Sequence, residues 1–155
     1  MNLFFDTVLV GLLRSQNRKQ PTIIPSLVVI GFVKPKHQSI LGFAELNPPE
    51  VAFRAGGARV ILGDLDGEAC ERAAAALGPG AHGLRLDVTQ PASFAAFLER
   101  AEALEGPLDV LVNNAGVLSA GAFLEQGPEA EAATFAVNYQ GVSNGLRLAL
   151  PGMLE

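Results

Sequence analysis

The sequence predicts an α/β domain built on a parallel sheet with helices on both faces, and three observations carry that prediction. From Ala58 onward, short apolar runs alternate with segments of helical length and spacing. The run Leu108-Asp109-Val110-Leu111-Val112 empties directly into Asn113-Asn114-Ala115-Gly116, the pattern of a buried parallel strand whose carboxyl end is wet. In open α/β sheets that end is where ligands bind. Finally, 155 residues at 49% apolar content are enough for one domain with a sizeable core.

The elements follow in order. Arg59–Asp64 reads as a strand closing on an acid, and a helix from Gly67 to Leu77, rich in alanine, stops at Gly78-Pro79-Gly80. His82–Val88 alternates as a second strand, after which Thr89 is placed to cap a helix starting near Pro91. On that helix Phe94, Phe97, Leu98, Ala101 and Leu104 form one apolar face, and Gly106-Pro107 ends it. Leu108–Val112 is the third strand. A long helix from Glu129 to about Leu150 follows, with Phe135, Tyr139, Val142 and Leu146 along one side.

The first 49 residues differ in character. All three lysines, Lys19, Lys34 and Lys36, lie there, whereas the rest is rich in Ala, Gly, Leu and Glu. Residues 1–49 therefore read as a divergent segment and 50–155 as the domain proper. Leu3–Leu13 and Ile23–Val33 are apolar but short and interrupted, far below the ~20 residues of a membrane-spanning helix. No basic residue precedes the first run, which argues against a secretion signal. A net charge of −5 without a Lys/Arg cluster argues against a nucleic-acid partner. Cys70, the one cysteine, provides no disulfide and fits a reducing, cytoplasmic setting. His37 and His82 have no ligand-spaced partners and read as surface residues, so no metal site is expected. Ser119 and Ser143 lack a nucleophile-elbow context, leaving a hydrolase without support.

Four landmarks fall in register: Asp64 closing one strand, Asp87-Val88 the next, Asn113-Asn114-Ala115-Gly116 the third, and Asn138 with Gly141 in the long helix. In these the chain resembles the short-chain dehydrogenase/reductases, over roughly Ala52 to Leu154. The resemblance implies a Rossmann-like doubly wound parallel sheet, a dinucleotide cofactor, and alcohol–carbonyl interconversion of a small molecule by hydride transfer. Asp64 at its strand end suits both hydroxyls of an adenosine ribose and repels a 2′-phosphate, which favours NAD over NADP. Asp64 and Asp66 read equally well as turn and helix-cap residues. Asp87 and Val88 match the family's adenine contacts, the carboxylate meeting the exocyclic amine and the valine giving an apolar face. Asn114, Ala115 and Gly116 are small enough to let a cofactor approach the backbone. Asn138 matches the family's helix asparagine, which holds a water in a proton relay and is the one catalytic candidate.

The departures from the family pattern matter equally. Its opening Thr-Gly-x-x-x-Gly-x-Gly turn, which seats the pyrophosphate on a helix N-terminus, has no counterpart here. Leu27-Val28-Val29-Ile30-Gly31 is the best replacement for its strand, with Ser39–Leu46 and Pro49–Ala55 as helical pieces of the crossover. Phe32-Val33-Lys34-Pro35-Lys36 follows where the glycines belong. The rival expectation is that residues 1–49 stay loose and leave two sheet edges unpaired. The family's general acid/base Tyr with a Lys four residues on is also missing: Tyr139, the one tyrosine, is followed at that spacing by Ser143. The expected sheet is thus incomplete, without glycine-rich turn or C-terminal strands. Two functions stay open, an NAD(P)-dependent oxidoreductase by descent that is inactive as this chain alone, and a non-catalytic module that binds adenine nucleotide weakly or pairs with a second copy through helix 129–150.

Overall fold

The computed structural model describes residues 11–13, 26–30, 53–117 and 122–155. Among the described residues five strands form one sheet: β1 (Gly11–Leu13), β2 (Ser26–Ile30), β3 (Arg59–Asp64), β4 (Ala81–Arg85) and β5 (Val110–Asn113), in the spatial order β1-β5-β2-β3-β4. β5, β2, β3 and β4 run parallel, and β1 lies antiparallel on the outer edge of β5. The central place belongs to β2. It pairs on one side with β3, Ser26 opposite Arg59 through Ile30 opposite Gly63, and on the other with β5, Leu27 opposite Val110 through Ile30 opposite Asn113. The strand begins and ends one residue earlier than Leu27–Gly31. Most of the expected crossover, including Ser39–Leu46, lies outside the described residues, as do Lys34, Lys36, His37 and Ser119; residues 53–55 are a helical turn.

Side-chain alternation along the parallel strands makes two cores. On one face Val60 and Leu62 of β3 and Val110 and Val112 of β5 meet Cys70 and Ala74 of helix α1 (Gly67–Leu77). On the other, Ile61 and Leu111 meet Phe94, Phe97, Leu98 and Ala101 of helix α2 (Pro91–Glu105). The rings of Phe94 and Phe97 meet edge to face at 6.4 Å. Buried on both sides, β3 and β5 carry nearly continuous apolar runs. Gly83 on β4 brings α1 close: a Cβ there would lie 2.2 Å from the Cys70 carbonyl carbon. Gly78 and Gly106, both at φ near +80°, close α1 and α2 at a positive φ that glycine, lacking a Cβ, adopts without strain.

The long C-terminal helix has three parts, α3 (Pro128–Phe135), a π-helical turn (Ala136–Gly141) and α4 (Val142–Leu154). Its packed stripe differs from the one expected. Gly141, Gly145, Ala149 and Met153, four residues apart, are buried, while Phe135 and Tyr139 are 60% and 62% exposed and stacked on each other at 4.8 Å. Small residues win the inner face because they allow close approach. A Cβ on Gly141 would meet Val88 Cγ2 at 2.8 Å, and one on Gly145 would meet Asn113 Oδ1 at 2.4 Å.

Several boundaries moved. β4 is Ala81–Arg85 rather than His82–Val88, so Asp87 and Val88 stand in the loop beyond it, and β5 is Val110–Asn113 rather than Leu108–Val112. Thr89 does not cap α2: the N-cap is Gln90, without a side-chain bond, and the Thr89 hydroxyl donates to Asp87 Oδ1 at 2.7 Å. His82 is no free surface residue, since its Nε2 sits 2.7 Å from Glu105 Oε1, whose partner oxygen lies 3.1 Å from Arg59 Nε. That cluster joins β4, α2 and β3 at the amino end of the sheet. No group of side chains able to hold a metal occurs among the described residues.

Candidate cofactor site

The sheet gathers the candidate residues along its carboxyl edge. Ile30 is in register with both Gly63 and Asn113, so Asp64 and Asn114 stand one residue further out on the strands flanking β2. Asp64, Asp87, Asn114, Ala115 and Gly116 are all half-buried there. The backbone N–H of Asp66 donates to Asp64 Oδ1 at 2.9 Å, and Asp66 Oδ1 in turn accepts from Ala69 N–H at 3.0 Å as the N-cap of α1. The turn role and the ligand role of Asp64 are therefore compatible, because the turn fixes the carboxylate at the strand end. The field of the two acids is felt beneath them. Burial, and then the charges of Asp64 and Asp66, push the Cys70 thiol up to about 12.

Asp87 is held from both sides of its turn. Its N–H donates to Ser93 Oγ at 3.0 Å, while Oδ1 accepts the Thr89 N–H and hydroxyl at 3.0 and 2.7 Å, bonds in which Oδ2 takes no part. Val88, expected to give adenine an apolar face, has its side chain buried in the core against Gly141, and its carbonyl accepts from Asn144 Nδ2 at 2.9 Å. Asn138 is also more committed than expected. Its Oδ1 accepts from Val117 N–H at 2.8 Å and its Nδ2 donates to Val117 O at 2.9 Å, clipping the segment after β5 onto the π turn. Each end of the amide carries one bond, which leaves one Oδ1 lone pair and one Nδ2 hydrogen for other partners.

The profile of the short chain dehydrogenase family matches residues 51–155. The chain belongs to that family. It is 44% identical over 104 residues to the inactive 2-(S)-hydroxypropyl-CoM dehydrogenase 2 of Xanthobacter autotrophicus, covering 67% of this chain and 45% of that protein. The 3-alpha-(or 20-beta)-hydroxysteroid dehydrogenase of Mycobacterium bovis is 38% identical over 104 residues, 67% of this chain and 40% of that one. This chain thus spans less than half the length of these relatives. Among solved structures, a 3-ketoacyl-(acyl-carrier-protein) reductase of Brucella melitensis complexed with NADH superposes with a TM-score of 0.67 at 27% identity, covering 83% of this chain and 49% of the other. A short-chain dehydrogenase/reductase of Burkholderia phymatum in complex with NAD gives 0.67 at 28% identity, 83% and 44%. The structural likeness covers more of the chain than residues 51–155 make up, so it reaches into the divergent segment that supplies β2.

Of the residues that tie this edge to the helix behind it, the sequence singled out Asn113 and Gly141 but not Asn144 or Gly145. Asn144 is buried, accepts from Gln140 Nε2 at 3.0 Å and holds the Val88 carbonyl. Asn113, 4% exposed, rests against Gly145 with its Nδ2 unbonded. The one signal available was spacing: Gly141 and Gly145 lie four apart, as residues that let a helix approach a strand end do. Among the described residues no helix is long and apolar enough to cross a membrane.

Proposed function

We propose that this chain carries the adenosine side of an NAD site in a short-chain oxidoreductase, and that by itself it binds NAD weakly and transfers no hydride. The observation that carries this reading is Asp64, an acid at the carboxyl end of a parallel strand beside the central one, with its carboxylate oriented by the turn into α1. The residues fit that half of the cofactor. Asp64 offers a carboxylate to the ribose hydroxyls, and the acidic pair with Asp66 disfavours a 2′-phosphate, so NAD is preferred over NADP. Asp87 Oδ2 suits the exocyclic amine of adenine. Asn114, Ala115 and Gly116 present a small-residue surface, and the Asn138 clip on Val117 keeps it in place. When bound, nicotinamide supplies the hydride exchanged with an alcohol or carbonyl carbon. The family's Tyr-x-x-x-Lys pair is absent from these 155 residues, so they contain no such group to move the accompanying proton. The lone buried Cys70 agrees with a reducing, cytoplasmic setting.

Calorimetric titration with NAD tests the reading. Millimolar affinity, about −4 kcal/mol, is expected, weaker still for NADP and lost in Asp64→Ala. Low-micromolar NAD affinity, or NADH formation with a panel of secondary alcohols, contradicts it. A second reading, an interaction module that pairs with another copy through residues 129–150, is favoured by one observation: the stacked and largely exposed rings of Phe135 and Tyr139. Sedimentation of Phe135→Ser against the parent chain distinguishes the two.

A further inference from the structure

We propose that β1 is an edge cap carried in cis, a short strand that occupies the outer side of β5 and excludes edge-to-edge pairing of this chain with a second copy. Without β1, the outer side of β5 has no described strand paired to it. Val110, Leu111 and Val112 are 6%, 0% and 1% exposed, an apolar and fully packed stretch of the sheet. Their backbone groups on one side pair with β2, and on the other with Gly11–Leu13, Gly11 opposite Val112 and Leu13 opposite Val110. An apolar, β-branched edge left open is a template for another strand.

Direction and length identify β1 as a cap rather than a regular member of the sheet. In a doubly wound sheet the place beyond the fourth parallel strand is filled by a strand arriving through a right-handed crossover, hence parallel. β1 is antiparallel and three residues long. Its described residues pair with Val110–Val112. A strand of any origin that joins β5 on this side has to displace it. The antiparallel register is centred on Leu111, and Val110-Leu111-Val112 of a second copy could take the same place about a two-fold axis, with Leu111 opposite Leu111.

The test uses the full chain with Leu12→Pro and, separately, with Gly11→Pro and Leu13→Pro together. Hydrogen-bonded pairs alternate along an antiparallel ladder, so one of these variants removes its donors. Expected are about tenfold or faster amide exchange at β5 positions facing β1, retained protection in β3 and at β5 amides facing β2, and a dimer in sedimentation velocity that also forms with Phe135→Ser. Unchanged β5 protection in both variants overturns the proposal, as does deprotection without any dimer. Loss of protection throughout β3 and β4 overturns it too, because β1 would then be part of the core rather than its cap.

Discussion

Gly83→Ala is the sharpest probe of how this edge is assembled, because the added methyl has nowhere to go. Its Cβ would lie 2.2 Å from the Cys70 carbonyl carbon, 2.3 Å from the Cys70 oxygen and 2.4 Å from Glu71 N, all backbone of α1. Side chains can rotate away from a methyl, but a helix backbone has to translate by an ångström or more. Overpacking of a core costs typically 1–3 kcal/mol, and a backbone clash belongs at the top of that range, about 3 kcal/mol. At roughly 2–4 °C per kcal/mol for a chain of this size, the melting temperature followed by circular dichroism should fall by about 6–12 °C. Lifting α1 also uncovers Cys70, which is fully buried in the native chain, so a thiol reagent should label the variant well below its melting temperature. Gly57→Ala is the control, a left-handed glycine with nothing within 4 Å, for which only a small conformational cost of about 1 kcal/mol is expected. A melting temperature within 2 °C of the parent, with Cys70 still unreactive, would show that α1 does not rest on β4 at Gly83.

Three further outcomes follow from the same geometry. Cys70 is raised from 9.0 to about 12, so the folded state holds its proton where the unfolded chain releases it; the stability this gives is complete below pH 9 and declines above it at up to about 1.4 kcal/mol per pH unit towards pH 12, a slope that denaturant titrations should find missing in Cys70→Ala. Asn138→Ala removes both bonds to Val117, costing about 1–3 kcal/mol locally and accelerating Val117 amide exchange, whereas Asn138→Asp keeps the acceptor and should keep that amide protected. Val29 stands in register between Leu62 and Val112, each 1% exposed, so Val29→Asp should cost on the order of 3–5 kcal/mol and unfold the chain near neutral pH, while an unchanged melting curve would refute a central β2.

Much of the architecture was legible because local and tertiary preferences agree. α1 runs over the residues its alanines and glycine stop suggested, and α2 starts at Pro91 and buries Phe94, Phe97, Leu98 and Ala101 as its spacing required. The long helix was legible in extent and misleading in orientation. Apolar spacing pointed to Phe135 and Tyr139, but the side that meets the sheet is chosen by how closely backbones can approach, which favours Gly141 and Gly145. Strand ends shifted for a related reason: Asp87 and Val88 continue the alternation of β4 although the ladder stops at Arg85, where the chain turns under the Asp87–Thr89 bonds. The engagement of Asn138 with Val117 joins residues 21 apart in sequence, and no local pattern announces it. β1 was illegible outright, since three residues in a short apolar run say nothing about which edge they will join.

The central claim is that Asp64, Asp87 and the Asn114–Gly116 segment form one adenosine-binding edge, and amide chemical-shift mapping of the full chain titrated with NAD tests it most directly. Shifts concentrated at Asp64–Asp66, Asp87–Val88 and Asn114–Val117, saturating in the millimolar range and vanishing in Asp64→Ala, are predicted. Shifts confined to the amino end of the sheet around Arg59, His82 and Glu105, or no shifts at all at millimolar NAD, would contradict the account.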